Sequence, residues 1–204
     1  MNEKSDPPAP VTYTNVRGTS YFLCLAATKA GKPRLVASRS LVGTPLSSMP
    51  DGYEFAENVN GQVSVRQVRA AIIQPEELAV VRGVLTAAPG CEPYRAAVER
   101  DAIVIYEPSM WPAELEELAG WLSGGTAMLD RIRTFAANNA TYSPLVRFVL
   151  SDKSRRIFEV ERRHFSGDEG WLPVEWGLRL EPAVRDAVRR LGPKGPKDAF
   201  FEWG

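Results

Sequence analysis

The sequence predicts an α+β fold, in which antiparallel β-hairpins pack against several short helices. Apolar runs of strand length come in pairs joined by short turn sequences, which is the pattern of β-hairpins. Between those pairs stand segments in which apolar residues recur three and four positions apart, as they do on one face of a helix. Hairpins that alternate with helices are typical of an antiparallel sheet covered by helices on one side.

The chain begins with a polar, proline-rich segment, residues 1–15, which we expect to be a disordered tail. The remainder, 16–204, is expected to form a single α+β domain, or two subdomains of about 16–110 and 111–204. The first hairpin is predicted to pair residues 21–28 with residues 34–38, because a Gly- and Pro-containing turn separates these two apolar runs.

The second hairpin has the clearest turn, Asn60-Gly61, between the strand-like residues 52–57 and 62–66. Asn and Gly both tolerate the positive φ that a type I′ turn requires, so we predict a two-residue turn exposed to solvent. In that register one face carries two aromatic rings and a charge pair, which together would form a binding platform. The predicted platform consists of Tyr53, Phe55, Glu57 and Arg66. The alternative is that the two rings belong to the core and the charges to its rim.

Helices are predicted after this hairpin and near the end of the chain. The first begins at Pro75, because proline suits the first helical position, and its apolar stripe is Leu78, Val81 and Leu85. Strands follow at 94–99 and 102–106, and then helices at 112–122 and from Thr126. The stripe of the latter is Met128, Ile132 and Phe135. The last helix begins near Pro182, carries Val184, Val188 and Leu191, and ends at Gly192.

A third hairpin, at residues 145–150 and 156–163, supplies a candidate anion-binding site. A turn centred on Lys153-Ser154 places Arg147 opposite Val160 and puts three cationic or titratable side chains at the open end of one face. Arginine offers a planar fork of donors to phosphate or carboxylate, so we predict an anion contact there. The candidate residues are Arg147, Arg162 and His164. The alternative is an ion-pair network with Glu or Asp of the same protein.

Residues 49–63 resemble a P-x-G-Y-E-x-x-E-N-x-N-G-Q-V segment of a family of uncharacterised bacterial proteins. Residues 147–150 and 156–165, and the Leu-Gly followed by Phe-Phe-Glu near the C-terminus, are similar to later parts of that family. The resemblance covers most of the chain. It implies a bacterial, cytoplasmic protein and carries no activity with it.

The charge balance and the cysteine and histidine content disfavour several classes of protein. Lys and Arg number 25, as do Asp and Glu, and this balance disfavours a nucleic-acid binder. With two cysteines and one histidine, we expect neither a disulfide framework nor a metal site, and we expect no cofactor. The chain has no apolar run of membrane-spanning length and no apolar signal region, so we expect a soluble, cytoplasmic protein without a membrane partner.

The sequence lacks the nucleophile elbow, the zinc-protease helix, the phosphate loop and the dinucleotide-binding loop. We therefore expect a non-enzymatic binding or adaptor module. One alternative is a nucleic-acid-binding protein that uses the Arg-rich third hairpin. Another is a small metal-dependent hydrolase or nuclease with Glu57, Glu159 and Glu161 as ligands.

The C-terminal residues are unusually aromatic for a tail. Phe200, Phe201 and Trp203 would each bury about 150–250 Å² if packed, so we predict that this segment docks in an apolar groove. Docking onto the same chain is favoured by its high effective concentration. Docking onto a second copy is the alternative and would make a homo-oligomer.

Overall fold

The computed structural model describes residues 9–111, 115–117, 126–163 and 170–191. Its antiparallel sheets and helices confirm the α+β class. The chain divides into two compact units, Met1–Ala70 and Ala71–Gly204, which are described separately. This division lies well before residue 110, because the strands between residues 95 and 108 pair with strands that follow residue 140.

The first unit contains a four-stranded antiparallel sheet and a separate hairpin. Strand β2 is the centre of the sheet and carries its most buried side chains, Leu23 and Cys24. The sheet consists of β1 (Thr12–Thr14), β2 (Ser20–Ala27), β3 (Pro33–Ser38) and β4 (Thr44–Pro45), and the hairpin of β5 (Tyr53–Glu57) and β6 (Val63–Gln67). Strand β1 lies within the segment expected to be disordered. Its β-branched and aromatic residues pair with β2.

The turn of the β5–β6 hairpin is not the predicted type I′ turn. Gly61 N donates to Asn58 O at 2.9 Å, and Asn58 N donates to Gln62 O at 3.1 Å. Only Gly61 has a positive φ, +73°, and Asn60 does not. These contacts describe a type I turn followed by a left-handed glycine, which adds one residue to the loop. Gly61 is also buried, so the prediction of a wholly exposed turn is wrong.

Two further loops of the first unit repeat this geometry. In each, the first residue accepts a backbone N–H of the loop with its side-chain oxygen, and the fourth residue is a glycine with positive φ. The three loops are residues 15–19, 28–32 and 58–62. Two of them share the sequence Asn-Val-x-Gly. The Asn side chain closes the turn on its own backbone, which explains the recurrence.

The second unit contains a five-stranded antiparallel sheet with helices. In spatial order its strands are β11 (Trp171–Leu178), β10 (Ile157–Arg163), β9 (Tyr142–Asp152), β8 (Ala102–Pro108) and β7 (Arg95–Glu99). Its helices include α1 (Pro75–Ala87), α2 (Thr126–Asn139) and α3 (Leu180–Arg190). Residues 115–117 are also helical. No described helix has both the length and the apolar character needed to cross a membrane.

The main core of the second unit lies between the sheet and helices α1 and α3. Fully buried sheet residues such as Phe148 and Phe158 share one apolar cluster with Val81 of α1 and Val184 of α3. Burying one such side chain contributes about 1.5–3 kcal/mol. The apolar stripes predicted for these two helices are thereby confirmed.

Helix α2 departs from its predicted packing. Two residues of its expected inward stripe, Met128 and Phe135, are 40% and 57% exposed. The side that faces inward instead carries Ala136, which is 2% exposed. Apolar periodicity alone therefore selects the wrong side of this helix.

Candidate functional site

The predicted anion site depends on a register that the structure does not have. Strand β9 meets β10 with Arg147 opposite Glu161 and Arg162 opposite Val146, one residue away from the predicted pairing. Neighbouring residues of a strand point to opposite faces, so Arg147 and Arg162 do not share a face. His164 lies outside the described residues.

The reason for the shift is the turn between these strands. Asp152 accepts hydrogen bonds from the backbone N–H groups of Ser154 and Arg155, both at 2.9 Å, and Arg156 has a φ of +53°. The loop therefore holds four residues and is followed by a register shift after Ile157. The Ser154 hydroxyl bond, followed by the Arg155 contacts, holds the pKa of Asp152 well below its usual range.

Arg147 has its partners within the second unit. Its Nη2 lies 2.5 Å from Glu161 Oε2, and its guanidinium carbon lies 4.4 Å from the ring centroid of Trp171. The side chains of Arg147 and Glu161 are 31% and 15% exposed. Arg147 therefore forms an ion pair with a Glu of the same protein, which is the alternative given above for the anion site.

Another arginine of the same hairpin is also bound internally. Arg156 Nε donates to Glu77 Oε1 at 2.8 Å, and its Nη groups donate to Ile72 O at 3.3 Å. Glu77 also accepts the N–H of Gln74 at 2.8 Å, which caps the start of α1. These contacts fix the β9–β10 turn to the N-terminus of α1.

The predicted platform of the first unit is divided between two faces. The longer turn places Glu54 opposite Arg66 and Phe55 opposite Val65. Arg66 Nε donates to Glu54 Oε1 at 2.8 Å, on the face away from Phe55. Arg66 is therefore not part of a platform with Tyr53, Phe55 and Glu57.

Glu57 has a structural role in the first unit. Its Oε2 accepts the Tyr13 hydroxyl at 2.9 Å, and its Oε1 accepts the N–H of Val16 at 3.0 Å. The Tyr13 and Phe55 ring centroids are 5.2 Å apart. The hydrogen bond to Glu57 raises the pKa of the Tyr13 phenol. Both oxygens of this carboxylate are thus used to hold the β5 strand to the β1–β2 loop.

A pocket that the sequence did not indicate lies at one end of the five-stranded sheet. The start of β7, the end of β8 and the start of β9 lie together at this end of the antiparallel sheet. Helix α2 leads into β9 there, and together they enclose a cavity of about 310 Å³. Its described apolar lining consists of Pro93, Pro108, Met110, Ala136, Ala140 and the ring of Tyr142.

Helix α2 contributes one narrow face to this pocket. Arg133 and Ala136 are three residues apart and lie on the same side of the helix, and Ala140, which directly follows the helix, stays on that side because its N–H donates to Ala136 O at 2.8 Å. The two small alanine side chains leave room between the helix and the strand ends. Arg133 pairs with Glu116, with Nε 2.6 Å from Oε1, so its charge is balanced.

Arg95 is the lining cation that makes no ion pair with any carboxylate in the described part of the chain. Its Nη1 donates to the backbone oxygens of Glu92 and Tyr94, both at 3.0 Å. Its guanidinium carbon lies 5.4 Å from the ring centroid of Tyr142. Among the described residues, its Nε and Nη2 donate no hydrogen bond. The side chain is held in place and keeps part of its donor fork available.

Two other titratable side chains of the second unit, Cys91 and Glu107, have raised pKa values. Cys91 is buried, and burial raises the pKa of its thiol, which disfavours the nucleophilic thiolate. Burial likewise raises the pKa of Glu107. In the described ranges, no three His, Cys, Asp or Glu side chains come together in a way that could hold a metal ion.

The tail residues Phe200, Phe201 and Trp203 lie outside the described residues, so their predicted docking stays a prediction. The pocket was missed because its lining comes from four separate elements and forms no motif. One usable signal was that two alanines, Ala136 and Ala140, follow Arg133 at helical spacing, since small residues leave space beside a helix.

No protein-family model matches this chain, and it finds no match among curated proteins or solved structures. The resemblance to a bacterial family therefore stays a prediction from its motifs.

Proposed function

We propose that the protein is a non-enzymatic binding module whose second unit takes an aromatic or aliphatic group that carries a carboxylate. The observation that carries this proposal is the pocket at the end of the sheet, with Arg95 held at its wall. Protein pockets that bind small ligands measure about 300–1,000 Å³, so this one suits a ligand of roughly one ring and a short chain.

The chemistry of the ligand follows from the lining. Five aliphatic side chains and the Tyr142 ring favour an apolar body. The unused donors of Arg95 favour an anionic group, and a guanidinium matches the two oxygens of a carboxylate. Glu92 also lies at the pocket and would repel a second negative charge, which favours a monoanion.

The lining also supports a binding rather than a catalytic role. Its described residues include no histidine, cysteine, serine or threonine, and Glu92 is their one carboxylate. General acid–base or nucleophilic chemistry requires a positioned pair of such groups. No specific observation favours the nucleic-acid alternative, since Arg147, Arg155 and Arg156 of the third hairpin all pair with carboxylates.

Isothermal titration with phenylpropionate tests this proposal. Phenylpropanol is the matched uncharged ligand, and we expect it to bind about tenfold more weakly because it cannot use the Arg95 donors. Ala136→Leu fills the pocket without disturbing helix propensity and should abolish binding. Ala127→Leu adds the same mass to the exposed opposite side of α2 and should leave binding unchanged.

Two outcomes of this titration would contradict the proposal. In the first, phenylpropionate binds with the same affinity to Ala136→Leu and to the original protein. In the second, the acid and the alcohol bind equally, which would remove the role of Arg95.

A further inference from the structure

We infer that the chain's own C-terminal segment, residues 200–203, occupies this pocket in cis. The inference deepens the proposed function and rests on it for the position and chemistry of the pocket. It identifies the groove in which the aromatic tail docks, and it makes the protein self-occupied until a competing ligand displaces the tail.

The first support is the place where the described chain ends. Leu191 follows α3 and is 5% exposed. Its backbone oxygen accepts a hydrogen bond from Cys91 Sγ at 3.5 Å. The next two residues after Cys91, Glu92 and Pro93, line the pocket. Leu191 therefore lies beside Cys91, one residue before the pocket lining begins at Glu92.

The second support is reach. Nine peptide steps separate Leu191 from Phe200, and a chain of that length spans at most about 32 Å. The rim of the pocket lies within two residues of the Cys91 anchor, so the segment can return to it without being fully extended. A short tether gives an effective concentration in the millimolar range, so even a weak site would be filled.

The third support is complementarity. The segment Phe200-Phe201-Glu202-Trp203 places one carboxylate among three aromatic rings. The pocket offers apolar walls and, in Arg95, a guanidinium that pairs with no described carboxylate. The segment therefore has the two properties that we propose for the ligand, an aromatic body and a single negative charge.

The methionine methyl groups allow a direct test on the full-length chain. Met110 lines the pocket, whereas Met49 lies in the first unit and Met128 on an exposed side of α2. Aromatic rings seated in the pocket shift the resonance of a nearby methyl group. Replacing Phe200, Phe201 and Trp203 by serine should move the Met110 resonance and leave those of Met49 and Met128 in place, which also shows that the variant is folded.

A rescue experiment identifies the occupant. A peptide of residues 197–204, added to the serine variant, should return the Met110 resonance toward its original position. The same peptide with serine at the three aromatic positions should not. An identical Met110 resonance in the original protein and in the serine variant would overturn the inference. So would a dimer in light scattering that the serine variant breaks, since the tail would then belong to a second copy.

The probe phenylpropionate separates this inference from the proposed function. If the tail fills the pocket, phenylpropionate should bind the serine variant about tenfold or more tightly than the original protein. Equal affinity for both proteins overturns the inference and leaves the proposed function standing. Rescue by the peptide without any binding of phenylpropionate would uphold the inference and reject the small-ligand proposal.

Discussion

The β5 face in the first unit and the pocket in the second unit both combine aromatic rings with charge, and they differ in what the charge contacts. In the first unit both oxygens of Glu57 accept hydrogen bonds from the unit itself, from Tyr13 and Val16. In the second unit Arg95 uses one nitrogen on backbone oxygens, and its other two nitrogens donate to none of the described residues. We therefore propose that a charge beside aromatic residues serves binding where its hydrogen-bonding groups are not engaged by described residues, as at Arg95.

The comparison predicts that groups engaged within a unit contribute to stability, while Arg95 contributes to binding. Asn15 should show the largest effect on stability. Its buried amide donates to Gly61 O at 2.6 Å, and its Oδ1 accepts the N–H groups of Arg17 and Thr19. Asn15→Ala leaves these groups unpaired and should cost about 2–3 kcal/mol in urea unfolding.

Asn58→Ala is the matched control for that variant. Asn58 occupies the same position in the equivalent loop, but its side chain is exposed, and among the described residues it bonds within the loop alone. We expect a loss of about 1 kcal/mol or less. An Asn15→Ala loss no greater than that of Asn58→Ala would show that the contact to Gly61 is not important.

Arg156 provides the corresponding test in the second unit. Arg156→Ala removes the partner of Glu77, whose side chain is 13% exposed, and should cost about 2 kcal/mol. The exposed pair Arg185–Glu181 in α3 is the control, because its side chains are 60% and 56% exposed. Arg185→Ala should cost less than about 0.5 kcal/mol in the same denaturation. Similar losses for the two variants would contradict the structural role of Arg156.

These engaged groups also show how much the sequence predicts. The hairpins and the stripes of α1 and α3 follow from local apolar spacing, which the structure keeps. The register of a hairpin does not follow from apolar spacing, because a single polar side chain in the loop can set the length of that loop. Asn58 and Asp152 each bind backbone N–H groups of their own loop, and each moves the pairing by one residue.

The repeated Asn-Val-x-Gly sequence was the available signal for the first of these loops. Strand β11 is not among the predicted strands, and it contains Pro173, a residue type that is disfavoured inside central strands. The structure places β11 at the edge of the sheet, where a proline needs no ladder partner. The candidate pocket could not be predicted from spacing, because strand ends far apart in sequence form it only after the sheet has folded.

Alanine variants of Gly61 and Gly31 separate the cost of a positive φ from the cost of crowding in the first unit. Gly61 and Gly31 hold the same loop position with φ of +73° and +76°. A Cβ at Gly31 meets nothing within 4 Å, whereas one at Gly61 lies 3.2 Å from both Arg17 Cδ and Asn15 Nδ2. Gly31→Ala should cost about 1 kcal/mol from φ alone, and Gly61→Ala about 1 kcal/mol more. Equal thermal unfolding of both variants would show that Arg17 and Asn15 move aside without cost.

Glu107 should show the smallest effect on stability. Burial raises the pKa of this carboxyl, so at about pH 7 the folded state carries a charge that burial disfavours. Glu107→Gln should therefore raise the melting temperature slightly at neutral pH. Below both the folded and the unfolded pKa the carboxyl is neutral in each state, and at about pH 3 the gain should vanish. A gain that persists at low pH would assign the effect to packing rather than to charge.

The role of Arg95 in binding is tested most directly by comparing three charged residues in one titration with phenylpropionate. The background is the serine variant of Phe200, Phe201 and Trp203, in which we expect the pocket to be open. Arg95→Gln should weaken binding about tenfold or more, while Arg147→Gln and Glu57→Gln should leave the affinity unchanged. Gln at position 95 keeps an N–H₂ group for the backbone oxygens. If Arg147→Gln or Glu57→Gln lowers the affinity and Arg95→Gln does not, the binding site lies where the sequence predicted it and not in the pocket.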